Sequence, residues 1–157
     1  MNAPQIRFDD GAAYERMMGV WSRHAGEIFL DWVAPAAGLH WVDVGCGNGA
    51  FTELLIKRCA PAMIDGVEPS EGQLDYARKR LDAGQARFHR GDAMTLPFPD
   101  REFDAAVMAL VLLWPGRLRQ VLAGFPGNTR TLVQVRVPDR GDVVVAAGDK
   151  WRVELCD

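Results

Sequence analysis

Short continuous apolar runs alternate along this chain with stretches whose apolar positions recur at helical spacing, an alternation of strands and helices. Apolar residues run from Trp41 into Val44, three glycines follow at alternate positions in Gly45-Cys46-Gly47-Asn48-Gly49, and Ala50 to Ile56 returns to helical spacing. The pattern predicts strand, tight turn, helix. Upstream, Tyr14, Met17, Met18 and Trp21, then Ile28, Phe29, Trp32 and Val33, predict one helix at about 12–20 and another at about 22–33, closed by Pro35 and Gly38. Downstream, Pro61 ends the helix and Met63–Glu68 reads as a second strand finishing in an acid. Ser70 stands three residues before Gln73 as in a capping box, and Leu74, Ala77, Arg78 and Leu81 trace a helix for Gly84 to close. A third strand is expected at 86–89 and a proline-stiffened loop from Leu96 to Asp100. The run Phe103–Leu113, apolar apart from Asp104, reads as a fourth strand buried on both faces. The fold class is therefore α/β, with a doubly wound, mostly parallel sheet.

Right-handed crossovers would bring the carboxyl ends of the first three strands to one edge, where Asp43, Gly45–Gly49, Glu68 and Asp92 converge. Chemistry is expected there. Glycine is needed in such a turn for positive φ and for close approach of a ligand to the backbone. The first-turn N–H groups of the next helix, with the positive end of its dipole, would face that ligand. Glu68 follows Gly45 by 23 positions, about where a dinucleotide fold places the carboxylate that accepts from ribose hydroxyls. This is a nucleotide-type site, and Gly45-x-Gly47-x-x-Ala50 by itself also fits a nicotinamide dinucleotide.

The fuller pattern discriminates: Asp43 two residues before the first glycine, a third glycine at 49, the acid at 68, and Gly91-Asp92-Ala93 followed by Leu96-Pro97-Phe98. In combination these motifs resemble class I S-adenosylmethionine-dependent methyltransferases of the ubiquinone and menaquinone biosynthesis group, over about Tyr14 to Trp114. The resemblance implies a Rossmann-like core with S-adenosyl-L-methionine as cofactor. It implies that Gly45, Cys46, Gly47, Asn48 and Gly49 lie against the methionine moiety while Asp43 helps to orient its amino group. Glu68 would hold the ribose hydroxyls, with Pro69 and Ser70 beside the adenine. The aspartate of Gly91-Asp92-Ala93 would accept from the adenine amino group, with Ala93 and Met94 lining that pocket, and Leu110 and Val111 would border the methyl group and the substrate. No catalytic residue is universal in the family; Tyr14, His24 and Asp104 are candidates for a general base by proximity alone, and none is nominated.

Composition narrows the setting. Hydrophobic content of 48% and a net charge of −3 fit a globular chain without the basicity that nucleic acid would favour. No apolar run reaches ~18 residues, so a cytoplasmic location is expected; a small-molecule substrate is what the resemblance implies. Cys46, Cys59 and Cys156, and likewise His24, His40 and His89, are scattered, which supports neither disulfide nor metal site.

After Trp114 the family pattern lapses. Residues 1–114 carry a net −5 and 115–157 a net +2, and the tail is rich in glycine, arginine and proline. Three parts are expected: an N-terminal helical cover at 1–40, the cofactor-binding core at 41–114, and a divergent tail at 115–157. Such a tail is what a shift of reading frame near residue 114 with early termination would produce; the competing account is a divergent, shortened relative in which Thr131–Val137 and Asp142–Ala146 pair as a hairpin. On either account the sheet is expected to be incomplete on its C-terminal side, with one edge of the fourth strand poorly covered. Three activities compete: a small-molecule methyltransferase, a catalytically silent binder of S-adenosylmethionine, and a NAD-dependent oxidoreductase.

Overall fold

The computed structural model describes residues 20–81, 84–93, 95–99, 102–109, 130–137, 141–147 and 152–155. These hold α1 (Val20–Val33), β1 (His40–Val44), α2 (Ala50–Cys59), β2 (Met63–Glu68), α3 (Glu71–Arg80), β3 (Ala86–Arg90) and β4 (Ala105–Ala109). They continue with β5 (Arg130–Val137), β6 (Gly141–Ala147) and β7 (Arg152–Leu155). All the strands lie in one sheet of order β3-β2-β1-β4-β5-β6-β7. The pairs β3–β2, β2–β1, β1–β4 and β4–β5 are parallel, whereas β6 runs antiparallel to β5 and β7 to β6.

The alternation of side chains along a strand sorts this sheet into two faces. On one, Trp41, Ile64 and Ala105 lie side by side in register and pack with Phe51, Leu54 and Leu55 of α2 and Phe29 and Leu30 of α1. A Cβ on Gly26 would stand 2.8 Å from both Leu54 and Phe51, so α1 meets α2 at a point where no side chain fits between them. On the other face Val42, Val44, Val67, Ala106 and Met108 are equally buried. Burial on both sides explains why β4 reads as an unbroken apolar run and why Trp41, Val42 and Val44 of β1 are apolar on either face. Ile64→Val, which removes one methyl from the first core, is expected to cost about 1 kcal/mol in urea unfolding; an unchanged midpoint would mean that Ile64 is loosely packed.

Helix ends follow local chemistry. Ala60 takes a left-handed conformation (φ 43°) and Pro61 prevents continuation of α2. Ala34 (φ 43°) does the same for α1 ahead of Pro35. The ends of α3 depart from expectation. Ser70 is its N-cap residue but makes no side-chain capping bond, and its amide donates to a Glu68 carboxylate oxygen at 3.1 Å, the place that Gln73 would take in a capping box. At the other end Leu81, in extended conformation, closes the helix before Gly84 is reached.

β2 has the expected bounds, β3 runs one residue further, and β4 begins at Ala105 because Phe103 and Asp104 are engaged elsewhere. The outer edge of β4, expected to be poorly covered, is lined by β5 in parallel register from Ala105↔Arg130 to Ala109↔Gln134. The two apolar runs of the tail do pair, as β5 and β6, from Thr131↔Ala147 to Val137↔Gly141. The helix expected at 12–20 falls outside the described residues apart from Val20, which opens α1.

Candidate functional site

The parallel register of β1, β2 and β3 sets their carboxyl ends at one edge, and the backbone there binds the three ends together. The Gly45 and Cys46 amides donate to the Val67 carbonyl at 2.7 and 3.1 Å, and the Gly91 amide to the Glu68 carbonyl at 3.3 Å. Asp43, the glycine turn, Glu68 and Gly91-Asp92-Ala93 thus converge as the sequence predicts. Asp92 stands exposed, and its carbonyl accepts from the Thr95 amide at 3.0 Å. Met94, Leu110 and Val111 lie outside the described residues.

Within the turn, Gly47 (φ 53°) and Gly49 (φ 79°) hold the conformation that L side chains avoid. A Cβ on Gly47 would meet nothing within 4 Å, so its bare α-carbon borders open space; one on Gly49 would stand 3.1 Å from the Ala77 Cβ of α3. The turn leaves room on one side and touches a helix on the other. Asn48 is buried, and its Oδ1 accepts from the Ala50 amide at 3.2 Å, as in an Asx turn. That amide, expected to face a ligand, is therefore already engaged.

Glu68 ties the edge together. Its Oε2 accepts from the Gly47 amide at 3.2 Å and its Oε1 from the Ser70 amide at 3.1 Å. Burial raises its carboxyl above the usual range, and the two amides oppose that rise. Each oxygen keeps a lone pair for a further donor. Pro69, beside it, is exposed.

Asp43 is 1% exposed and has one hydrogen-bond partner, Thr52 of α2, whose hydroxyl donates to Oδ2 at 2.6 Å. Oδ1 is buried and has none. Burial pushes the Asp43 carboxyl up from 3.8 to about 7; the Thr52 bond works against this and the charge of Glu68 adds to it. Cys46, in the turn, is buried, and its thiol is pushed well up by burial and then by the charges of Asp43 and Glu68. A buried carboxylate oxygen without a partner is suited to a cationic donor. Thr52 was not singled out from the sequence, since a spacing of nine residues between strand and helix carries no motif.

A second polar group forms away from this edge. His40, His89 and Arg87 all reach Asp65, with His40 Nε2 at 2.7 Å, His89 Nε2 at 2.6 Å and Arg87 Nη2 at 2.6 Å. Two histidines that look scattered in the sequence thus share one carboxylate. Asp104 lies at the amino end of β4, where Oδ2 accepts from the His40 amide at 2.9 Å, which removes it from the cofactor edge. His24 is exposed on α1, and Tyr14 lies outside the described residues. No group of three or more metal-ligating side chains able to hold a metal ion occurs among the described residues.

The chain is similar to known proteins over most of this core. The methyltransferase domain family matches residues 42–127, more than half of the chain. The trans-aconitate 2-methyltransferase of Paracidovorax citrulli (strain AAC00-1) is 34% identical over 161 aligned positions, covering 93% of this chain and 59% of that protein. The ubiquinone/menaquinone biosynthesis C-methyltransferase of Paracoccus denitrificans (strain Pd 1222) is 33% identical, over 60% of this chain and 39% of the relative. The chain thus spans less than two thirds of these curated relatives. Among solved structures, geranyl diphosphate C-methyltransferase from Streptomyces coelicolor A3(2), in complex with Mg2+, geranyl diphosphate and S-adenosyl-L-homocysteine, shares the fold with a TM-score of 0.62 at 19% identity, covering 71% of this chain and 45% of that one. That alignment with the Paracidovorax citrulli protein covers 93% of the chain and so extends past residue 114. With the family match across the glycine turn, both acids and β4, the chain belongs to the methyltransferase domain family.

Proposed function

We propose that this chain binds S-adenosyl-L-methionine at the carboxyl edge of β1, β2 and β3 and carries out methyl transfer to a small molecule. The observation that carries the reading is the unpartnered, buried Asp43 Oδ1 beside a glycine turn in which the Gly47 α-carbon borders open space. An amino-acid ammonium is the donor such an oxygen lacks, and a backbone without Cβ atoms is what a ligand lying along the turn requires. The residues therefore fit the group. When bound, S-adenosyl-L-methionine supplies a methyl group already activated on a sulfonium.

The roles of the chain are to bind, to orient and to exclude water. Asp43 would receive the ammonium and the Gly45–Gly49 turn the methionine chain. Glu68 has lone pairs left for two ribose hydroxyls, with Pro69 and Ser70 next to the adenine. Asp92, Ala93 and Met94 would line the adenine pocket, and Leu110 would border the methyl. No side chain is assigned as a general base. We keep the division into a cover at 1–40, a core at 41–114 and a tail at 115–157, and a cytoplasmic location; among the described residues no helix is long and apolar enough to cross a membrane. A small-molecule acceptor is supported by relatives named for aconitate and geranyl diphosphate. A binder of the same cofactor without turnover is the second reading.

Isothermal titration with S-adenosylmethionine, S-adenosylhomocysteine and NAD tests the cofactor. Binding of the adenosyl ligands, weakened by about 1–3 kcal/mol in Glu68→Ala and in Asp92→Ala, is the expected result. Binding of NAD alone would overturn the reading, and turnover in an acceptor screen separates enzyme from silent binder.

A further inference from the structure

We propose that Asp43 and Thr52 form a proton-linked receptor for the ammonium group of the cofactor: ligand entry at or below neutral pH expels a proton from Asp43, and Thr52 is the positioning residue that leaves Oδ1 to receive the ammonium. The inference rests on the cofactor reading above and adds to it a pH dependence and a residue.

The argument starts from what surrounds the carboxyl. Asp43 is 1% exposed and Thr52 fully buried, so neither group is served by bulk water. Thr52 Oγ1 occupies Oδ2 at 2.6 Å, and a hydroxyl that donates there fixes the rotation of the carboxyl plane. Oδ1 is then the oxygen left over.

Among the described residues, the groups facing Asp43 from the neighbouring elements supply no positive charge to compensate it. From the end of β2 comes Glu68, a second acid that disfavours ionisation. From the turn comes the thiol of Cys46, neutral because its own ionisation is opposed by burial and by both acids. From β4 the register partner is Val107, which is apolar. From α3 the nearest cation is Arg78, whose charge acts on Cys46, but its guanidinium is bound to Glu71 at 2.6 Å and Asp75 at 3.2 Å on the exposed side of that helix. From α2 comes Thr52, and the cations of that helix, Lys57 and Arg58, are paired with Glu53 and Asp31. A carboxyl so placed holds its proton to higher pH than a solvated one. An ammonium reverses this, because it pairs far more strongly with the carboxylate than with the neutral acid, so binding is coupled to deprotonation.

The sign follows. Below the point where free Asp43 loses its proton, each unit of falling pH weakens binding by up to ~tenfold, and above it affinity is level. Thr52→Val removes the one bond that favours the ionised form, so the midpoint of the affinity profile moves up and binding near pH 7 weakens. Thr52→Ser keeps the hydroxyl and restores the original profile. Glu68, whose carboxyl is also raised, faces the adenosine half and affects any adenosine ligand alike. The contribution of Asp43 is isolated by comparing a ligand that has the amino-acid end with one that lacks it.

The experiment is calorimetric titration of the full chain with S-adenosylhomocysteine and with 5′-methylthioadenosine, from pH 6.0 to 8.5 in buffers of different ionisation heat. The expected result is proton release and roughly tenfold weakening per unit below neutral pH for S-adenosylhomocysteine, with a level profile for 5′-methylthioadenosine. Binding of both ligands with the same level profile and no proton release would overturn the inference and leave the cofactor site standing. A midpoint unmoved in a folded Thr52→Val would overturn the role of Thr52; should that variant not fold, the wild-type profile against Thr52→Ser still decides the proton linkage. Binding of neither ligand by a folded sample would sink the cofactor reading, and this inference with it.

Discussion

Asparagine in place of Asp65 is expected to destabilise the folded chain by about 2–4 kcal/mol at pH 7, read from urea unfolding. Asp65 is fully buried in the middle of β2, and its two oxygens carry four contacts. Oδ1 accepts from Arg87 Nε at 2.8 Å and His89 Nε2 at 2.6 Å, while Oδ2 accepts from Arg87 Nη2 at 2.6 Å and His40 Nε2 at 2.7 Å. An asparagine would set an NH2 group against donors on one side and weaken the Arg87 fork on the other. Removing one partner of a buried pair costs about 3–5 kcal/mol when the rest is left dry. Here Arg87 is half exposed and His89 partly so, and water takes up some of what they lose.

The same site predicts an acid limb. Burial works to raise the Asp65 carboxyl, yet the Arg87, His40 and His89 bonds together outweigh it and hold the group below its usual range. A carboxyl depressed in the folded state adds stability above its unfolded value, near 4, and loses it as pH falls through the folded one. The gap between wild type and variant should therefore be full at pH 5–7 and close below about pH 4. A gap that stays constant into acid would show that the charge of Asp65 contributes nothing.

Asparagine at position 43 should act in the opposite sense on stability while abolishing tight ligand binding. The Asp43 carboxyl is raised to about 7 from 3.8, so the folded chain holds a proton that the unfolded chain has released. Stability then declines as pH rises between those values, and above neutral pH the burial of the charge costs about 2–4 kcal/mol. The asparagine side chain carries no charge, and the Thr52 hydroxyl can turn to accept from it. Thermal melts of the ligand-free protein should show Asp43→Asn more stable than wild type at pH 8 and nearly equal at pH 4. Binding of S-adenosylhomocysteine should weaken by more than ~30-fold, because a buried ammonium would be left without its carboxylate. Loss of stability at pH 8 would show that the Asp43 charge has a partner in the folded chain. Such opposed effects are common where a group serves the ligand rather than the fold.

What could be read ahead of the structure was what is written locally. β2 has the bounds given by Met63–Glu68 because an apolar run lies between Pro61 and the Pro69-Ser70 break. The glycine turn and the start of α2 at Ala50 were legible because alternate glycines allow little else. Contacts between distant positions were not. Asp65 reads as one polar residue in a strand, and neither His40, 25 positions before it, nor His89, 24 after it, announces a shared partner. Ser70 and Gln73 matched a capping box, but the Ser70 amide is bound by Glu68, two residues upstream and outside the four-residue pattern. The course of the tail strands lay beyond reach for a similar reason. A parallel partner for β4 drawn from 130–137 is settled by sheet register rather than by local sequence.

Glu68 holds the Gly47 amide with one oxygen and the Ser70 amide with the other, so the turn after β1 and the entry to α3 are clasped before any ligand arrives. Gly49 adds a steric stop, since nothing larger than a hydrogen fits between it and Ala77 without displacement. The freedom that a slack loop would surrender on association has been surrendered at folding. Ligand entry at this clasp therefore carries little ordering entropy, and the complementarity of the turn is a property of the empty protein rather than one moulded by its guest.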